Sequence, residues 1–401
     1  MQLTDQRMRQ RIVCNLRCGP GQRFAIVGVA ALIGLLCYLG PIERAAAYPQ
    51  FQFSTYATTC TACHFSPTGG GLVNGFGRGE AGDTISQYGG DGGFLHGLWT
   101  PPEWIQLGAD FRGASIVKKT WDEPQVLGFP MQADLYTRFA FKDFSFNLIT
   151  GLRGSAREPR RPLVERLWSR EHYLMWSPST SNYYARVGRF FAPYGLRLPD
   201  HSAYVRRYLG QHTLEETYNL SFGRMDDAWE AHGTLFMPSP LFPFGRRASG
   251  GTFYYERRIR DDSASFGAQS RFDISSDDVQ FWLGGLGKLW LDDLKLLFLS
   301  ELDFGLQTFR LDGTGEDPDP QLQMALYFGV TYFLKQGFML GGAIEHFDHD
   351  VALKGSARDS INLTLQYFPY AHVEVMLLGK LETQGFDSPN PQAMLMFHYY
   401  L

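Results

Sequence analysis

Apolar and polar residues alternate with a period of two along most of the chain from about Ile105 to Leu401. In 321–332 one parity carries the apolar side chains Leu322, Met324, Leu326, Phe328, Val330 and Tyr332. The other parity of that segment includes Gln321, Gln323, Tyr327 and Thr331, and the same separation recurs in 132–142, 360–367 and 373–382. Successive side chains of a strand point to opposite faces, so this period predicts β-structure. We expect an all-β fold.

The connections between these segments fall into two classes that nearly alternate. Short turns are predicted at 142–143, 226–227, 261–262, 292–293, 336–337 and 369–370. Long loops are predicted at 118–130, 153–166, 191–214, 238–250, 305–320, 348–356 and 383–391, with one short turn near 275–278 where a long loop is expected. Outer-membrane barrels have short periplasmic turns and long external loops.

The segment lengths agree with this interpretation, because about sixteen segments of roughly ten residues each suit tilted strands that cross a bilayer. Residues 105–401 are therefore predicted to form an antiparallel outer-membrane β-barrel of about 16 strands. With an even strand count, both the haem segment that precedes the barrel and the C-terminus emerge on the periplasmic side. The last predicted strand, Ala393 to Leu401, is apolar and aromatic, although it ends in Leu401 rather than in a phenylalanine. A water-soluble β-sandwich also shows alternation and remains the alternative fold.

Residues 1–47 are predicted to be a signal peptide, which implies export. Basic residues precede the apolar run from Phe24 to Leu39, and the small residues Ala45-Ala46-Ala47 follow it before Tyr48. An uncleaved membrane anchor or a lipoprotein signal at Cys37 are the alternatives.

Composition narrows the class of protein without identifying it. The 401 residues include 44 glycines and 15% aromatic residues, which is typical of a chain with many turns and strands. The formal net charge of −4 gives no indication of a nucleic-acid partner.

Cys60-Thr61-Ala62-Cys63-His64 has the spacing of a c-type haem attachment site. Two thiols in this spacing can bond the two vinyl groups of one haem, and the adjacent histidine can serve as proximal ligand of the iron. Cleavage after residue 47 leaves Cys60 and Cys63 as the only cysteines. The competing interpretations are a zinc site, for which no second cysteine or histidine pair is evident, a thioredoxin-like redox pair and a plain disulfide. We predict one covalently bound haem c.

Further haem contacts are harder to assign. His96 is the only other histidine between Tyr48 and Trp104, so it is the candidate distal ligand. If the haem sits inside the barrel, Met131, His201 or another barrel histidine is the alternative. Arg78 is the candidate partner of a haem propionate, although it could equally be a surface arginine.

Residues 48–104 and the predicted barrel together resemble the fused outer-membrane monohaem cytochrome–porins, which include the iron-oxidising outer-membrane c-type cytochromes. The similarity lies in Pro49-Gln50-Phe51, the C-x-x-C-H motif, Pro67 and Phe76-Gly77-Arg78. The chain departs from the family at Gly69-Gly70-Gly71, which lengthens the spacing, and in its glycine-rich continuation after Arg78.

The resemblance implies a small monohaem cytochrome segment at 48–104, periplasmic or lodged as a plug in the barrel lumen. It implies electron transfer across the outer membrane between an extracellular donor or acceptor, such as Fe(II), and a periplasmic electron-carrier cytochrome. The activity would then be Fe(II) oxidase-type electron transfer or that of a plain electron carrier. The loop residues Asp312, Glu316, Asp317 and Asp319 offer oxygen ligands for Fe(II), or are an ordinary solvated loop.

Two other functions remain open. A porin or channel could carry the haem segment as a plug or sensor, and its lumen would then conduct ions. A haem-dependent oxidase or peroxidase would need an open iron position. No constellation for a conventional hydrolase or dehydrogenase is evident.

Overall fold

A computed structural model describes residues 51–53, 59–120, 123–152, 166–212, 215–240, 247–259, 263–309 and 319–401. All of them belong to one compact unit that runs from Glu43 to Leu401. The predicted signal peptide, 1–47, lies outside the described residues. Among the described residues, no helix is both long enough and apolar enough to cross a membrane.

Sixteen antiparallel strands of the described chain close into a barrel. Each strand pairs with its neighbours in sequence, and β1 pairs with β16. The strands are β1 Ile105–Thr120, β2 Glu123–Phe141, β3 Phe144–Leu152, β4 Leu167–Trp176, β5 Tyr183–Phe190, β6 Thr217–Asp226, β7 Trp229–Met237, β8 Ser249–Ile259, β9 Ala264–Ile274, β10 Asp278–Leu291, β11 Leu296–Phe309, β12 Gln321–Lys335, β13 Phe338–Asp348, β14 Ala357–Tyr367, β15 Val373–Gln384 and β16 Asn390–Tyr400. The predicted all-β barrel of sixteen strands is confirmed.

The apolar face of each strand points out of the barrel. In β12, Leu322 and Tyr332 are exposed, whereas Gln323 and Ala325 are buried. β14 repeats this arrangement, with its leucines exposed and its serine and asparagine buried. A soluble sandwich would bury its apolar faces, so the inverted pattern excludes that alternative and is the one that an outer-membrane barrel requires.

Short and long connections nearly alternate around the barrel, with short connections at 275–277 and between β1 and β2 as the exceptions. The predicted turns at 142–143, 226–227, 292–293, 336–337 and 369–370 all lie at one end, which we take as periplasmic, and the turn predicted at 261–262 lies outside the described residues. At the opposite end lie the strand ends that flank the long loops predicted at 153–166, 191–214, 238–250, 305–320, 348–356 and 383–391, and the short turn at 275–277. Residues 153–165, 213–214, 241–246 and 310–318 of these loops lie outside the described residues. Asp312, Glu316 and Asp317 lie outside the described residues, and Asp319 is exposed.

The predicted long loop at 118–130 is wrong. β1 and β2 continue through this region, and only residues 121 and 122 connect them. Pro124, Gly128 and Pro130 suggested a loop because proline cannot donate to a ladder and glycine weakens a strand. In the structure Pro130 lies opposite Gly113, where the register of the two strands shifts and the ladder is already irregular.

Residues 191–212, which follow β5 at the external end, fold back into the barrel. We call them the inward loop. They include the short helix α3, Tyr204–Arg207. The loop packs against lumen-facing side chains of β8 and β10 to β13 in a buried cluster of Tyr194, Leu196, Leu198, Ala203, Tyr204, Val205, Leu209, Tyr254, Trp282, Leu286, Trp290, Leu297, Leu299, Ala325, Phe347 and Phe53. The main apolar core of the described chain therefore lies inside the lumen.

Residues 59–104, which we call the N-terminal segment, lie at the short-turn end. They contain α1, Cys60–Cys63, and α2, Gly75–Glu80, which continues into a single wider turn over Ala81–Ile85. The Gln87 N–H donates to the Phe368 carbonyl at 2.8 Å, and the Gln336 side chain donates to the Ser86 carbonyl at 2.7 Å. These contacts join the segment to two periplasmic turns of the barrel.

Candidate functional site

The C-x-x-C-H motif forms one helical turn that is held from two directions. The His64 N–H donates to the Cys60 carbonyl at 3.0 Å, which closes α1. His64 then pairs with Val73 as an isolated antiparallel bridge, and the Asn74 N–H donates to the Cys63 carbonyl at 2.8 Å. Both cysteines are free thiols.

Asn74 and Gly77 fix α2 against this turn. The Asn74 side chain accepts a hydrogen bond from the Gly77 N–H at 3.1 Å as an N-cap, and its amide donates to the Thr61 carbonyl at 2.9 Å. A Cβ on Gly77 would lie 2.6 Å from Val73 Cγ1 and 2.7 Å from the Cys63 carbonyl oxygen. Only glycine allows this approach, which gives a physical reason for the glycine in Phe76-Gly77-Arg78.

Burial sets the protonation of the three motif side chains. Desolvation raises the pKa of the Cys60 thiol and raises that of Cys63 to about 12. It also lowers the pKa of His64 to about 4, against the opposing effect of hydrogen bonds with the backbone of Gly71 and Gly70. At neutral pH the imidazole is uncharged, which is the form that ligates a metal.

Two arginines of the barrel hold the loop that follows the motif. Arg186 of β5 donates to Thr68 Oγ1 at 3.0 Å and to Ser66 Oγ at 3.4 Å. Arg197 of the inward loop donates to the Thr68 carbonyl at 3.4 Å. An external loop and the loop that follows the C-x-x-C-H turn therefore meet inside the barrel.

Arg197 belongs to a buried group of charges next to Cys60. It donates to Glu230 at 2.6 Å and to the Tyr254 hydroxyl at 3.1 Å, and Lys288 donates to Glu256 at 2.8 Å. We call Arg197, Glu230, Glu256 and Lys288 the lumen charge cluster; the same four side chains exert the charge effects on Cys60. Each anion of the cluster has a cation partner, as buried charges require, and Arg258 lies 3.8 Å from Glu230 as a further cation.

The donor set of the motif fits a covalent haem c. Two free thiols three residues apart share one helical turn, and the neutral imidazole follows directly. These are the groups that form two thioethers and a proximal iron bond.

Arg78 and His96 lie elsewhere on the N-terminal segment. Arg78 donates to the Leu107 carbonyl, and its guanidinium lies 5.6 Å from the centre of the Phe94 ring. The Nε2 atom of His96 lies 2.9 Å from the Tyr399 hydroxyl, and its ring contacts that of His372. The propionate contact and the distal ligand therefore stay predictions.

The two alternative ligands from the barrel region are also placed. Met131 is part of β2, and His201 lies in the inward loop beside His212, with ring centres 5.5 Å apart.

Sequence reasoning did not find the barrel residues that surround the motif. Arg186, Glu230, Glu256 and Lys288 share the parity of the lumen-facing side chains on their strands. The alternation of apolar and polar residues could have assigned these four side chains to the lumen. It does not indicate which residues lie opposite them across the lumen.

No protein-family model matches the chain, and no curated protein matches it in sequence. Several solved structures are similar to it in fold. OmpT of Vibrio cholerae is 9% identical, with a TM-score of 0.54 over 75% of this chain and 99% of that chain. The outer-membrane channel DcaP of Acinetobacter baumannii is 11% identical, with a TM-score of 0.54 over 74% of this chain and 97% of that chain. OmpF of Salmonella typhi, in complex with daunomycin, is 9% identical, with the same TM-score and the same two coverages.

At these identities the similarity defines the fold, which is a porin-type barrel. A β-protein in a lipid bilayer must pair all its strand edges and expose apolar side chains to the lipid. This barrel does both, since it is closed and its outer face is apolar. The protein is an outer-membrane β-barrel, as its alternating segments predicted.

Proposed function

We propose that this protein attaches one haem c at Cys60 and Cys63, within the periplasmic part of the barrel, and transfers electrons across the outer membrane. The observation that supports this is the position of the C-x-x-C-H turn. Arg186 from the wall and Arg197 from the external inward loop both reach the loop directly after it.

Each group of the motif has a defined part in this proposal. Cys60 and Cys63 would carry the thioethers, and His64 would be the proximal ligand. A haem c bound there supplies a one-electron redox centre. The inward loop, whose apolar core lies in the lumen, reaches the loop after the motif through Arg197 and Thr68, while the lumen charge cluster remains internally paired.

The geometry also suggests where the partners act. The inward loop extends from the external end of the barrel to Thr68, so an extracellular donor or acceptor such as Fe(II) would act at that end. The N-terminal segment lies at the periplasmic end, where an electron-carrier cytochrome would act.

A porin or channel with a haem-bearing plug or sensor is the second candidate, and the comparisons favour it. The similar solved structures include a protein described as an outer-membrane channel, and their fold is shared along nearly their whole length. The buried aromatic core inside this lumen is the observation that weighs against a wide open channel.

Visible spectra of purified outer membranes carrying the protein test the first proposal. We expect a c-type spectrum that becomes reduced on addition of Fe(II), is retained in Thr61→Ala and is lost in Cys60→Ala. Thr61→Ala is the matched control because it leaves both cysteines and the histidine intact. A haem that is reduced by dithionite but not by Fe(II) would retain the cytochrome and exclude iron as the donor. Complete absence of haem would exclude both haem-based functions.

Single-channel conductance in planar bilayers separates the two candidates. The electron-transfer proposal expects the intact protein to conduct ions far less than an open porin. A porin-like steady conductance, with the haem attached, would instead support the channel.

A further inference from the structure

The N-terminal segment presents exposed apolar and aromatic side chains at the periplasmic rim of the barrel. Leu98 is 87% exposed, and most of the others are about half exposed. We call this set the rim patch: Tyr88, Leu95, Leu98, Trp99 and Trp104 of the segment, with Tyr370 of the adjacent barrel turn. These residues serve neither the haem motif nor the core in the lumen.

The segment joins the rim first at the turn between β14 and β15. The Tyr88 N–H donates to the Pro369 carbonyl at 3.0 Å, and the Ala371 N–H donates to the Gly89 carbonyl at 3.0 Å. The Tyr88 and Tyr370 rings then contact each other, with their centres 5.5 Å apart.

It reaches the outer face of the wall at His96. The hydroxyl bound by His96 belongs to Tyr399, which has the same strand parity as the exposed residues Leu395 and Phe397 and lies opposite exposed Phe111 of β1. Leu95, His96 and Gly97 all have positive φ angles. This left-handed stretch is strained for residues other than glycine, and it turns the chain so that Leu95 and Leu98 remain exposed.

The segment stays beside the outer face as it approaches β1. Trp104 stacks on Phe139, with ring centres 6.4 Å apart and an interplanar angle of 18°. Phe139 shares the parity of exposed Leu135 and Phe141 on β2. The rim patch is therefore continuous with the lipid-facing wall at Tyr399 and at Phe139.

We infer that the rim patch inserts into the periplasmic leaflet of the outer membrane and fastens the N-terminal segment to the lipid surface. Tryptophan and tyrosine favour the headgroup region, where the ring is in an apolar environment and its polar atom remains hydrated. Leucines on the same surface bury apolar area in the acyl boundary. Lipid is the occupant because the patch continues a surface that lipid already covers. The inference does not depend on the haem.

Fluorescent probes at introduced cysteines test this inference in the full mature protein in phosphatidylcholine vesicles. The variants are Leu98→Cys in the patch, Leu283→Cys on the lipid-facing wall of β10 and Asp83→Cys on the exposed part of the same segment. Each carries a bimane label, and lipids with a nitroxide near the headgroup act as quencher. Unsubstituted protein is the blank for label at Cys60 or Cys63, and peptide mass analysis locates each label.

Lipid quenching at Leu98 is expected to be comparable to that at Leu283, with little at Asp83, and iodide in the water is expected to quench in the reverse order. If the Leu98 probe instead behaves like the Asp83 probe with both quenchers, the patch is not in lipid and would be available to a periplasmic protein. Labelling of Cys60 or Cys63 in the unsubstituted protein would contradict haem attachment but not lipid insertion of the rim patch. The quenching at Leu98 and at Asp83 could still be compared.

Discussion

The wall of the barrel and the contents of its lumen are built by different rules. Along the wall, each side chain is assigned by its parity: Leu363 of β14 faces lipid, and its neighbour Asn362 is buried in the lumen. Inside the lumen, contacts join residues that are far apart in the chain, such as Arg186 with Thr68 and Lys288 with Gln52.

This difference separates the part of the protein that it shares with porins from the residues that surround the C-x-x-C-H turn. The wall has the porin fold, which similar structures share at 9–12% identity. The C-x-x-C-H turn, the inward loop and the lumen charge cluster meet on the inner side of this wall. Substitutions in the lumen should therefore affect the C-x-x-C-H turn, whereas substitutions on the wall should affect assembly in the membrane.

The largest effect is expected when Arg197 is replaced by alanine. Removing one partner of a buried ion pair leaves an uncompensated charge and costs about 3–5 kcal/mol. Glu230 is buried and would keep the longer contact with Arg258, 3.8 Å away, once its 2.6 Å contact with Arg197 is lost, so the variant should lose stability by up to that amount. Urea unfolding in detergent, followed by tryptophan fluorescence, measures the change.

Arg207→Ala is the matched control, because Arg207 lies in the same loop but is exposed. Its effect should be within about 0.5 kcal/mol, as is usual for surface substitutions. Equal unfolding midpoints for the two variants would show that the inward loop is not held by the charge cluster.

A pair of neighbouring lysine substitutions tests the wall itself. Leu363→Lys places a charge on the lipid face near the middle of β14, where it costs about 2–4 kcal/mol. Thr364→Lys places the same charge in the lumen, beside Gly341 of β13, and should cost much less. Folding into vesicles, read from the heat-dependent shift in gel mobility, compares them. If Thr364→Lys folded into vesicles less well than Leu363→Lys, the assignment of the lipid-facing and lumen-facing sides would be wrong.

The sequence predicted the wall well because alternation is a local property. Parity predicted sixteen strands and the short turn at 275–277, and the one failure, at 118–130, followed from prolines that the structure accommodates at a register shift. The motif at Cys60, Cys63 and His64 is visible in the sequence because its signature is five consecutive residues, and the haem that it indicates stays a prediction. The sequence could not predict that Arg197 returns from an external loop to Thr68, because that contact spans 129 residues and depends on how the barrel closes.

The smallest effect is expected at Gly77, and it tests whether the motif depends on its own segment or only on the lumen around it. Alanine at this position would meet Val73 and the Cys63 carbonyl at distances below 3 Å, so α2 must move away from the C-x-x-C-H turn. Overpacking of this kind costs about 1–3 kcal/mol, and we expect less covalent haem per protein in a haem stain of denaturing gels.

Gly79→Ala is the matched control, in the same helix with no atom within 4 Å of the added carbon, and it should retain the haem content of the unsubstituted protein. Should both variants keep full haem content, the contact between α2 and the motif would have no part in haem attachment, and the arginines of the lumen would suffice to hold the turn. A loss in Gly77→Ala alone would mean that residues 59–80 already form a structured attachment site before the barrel residues contribute.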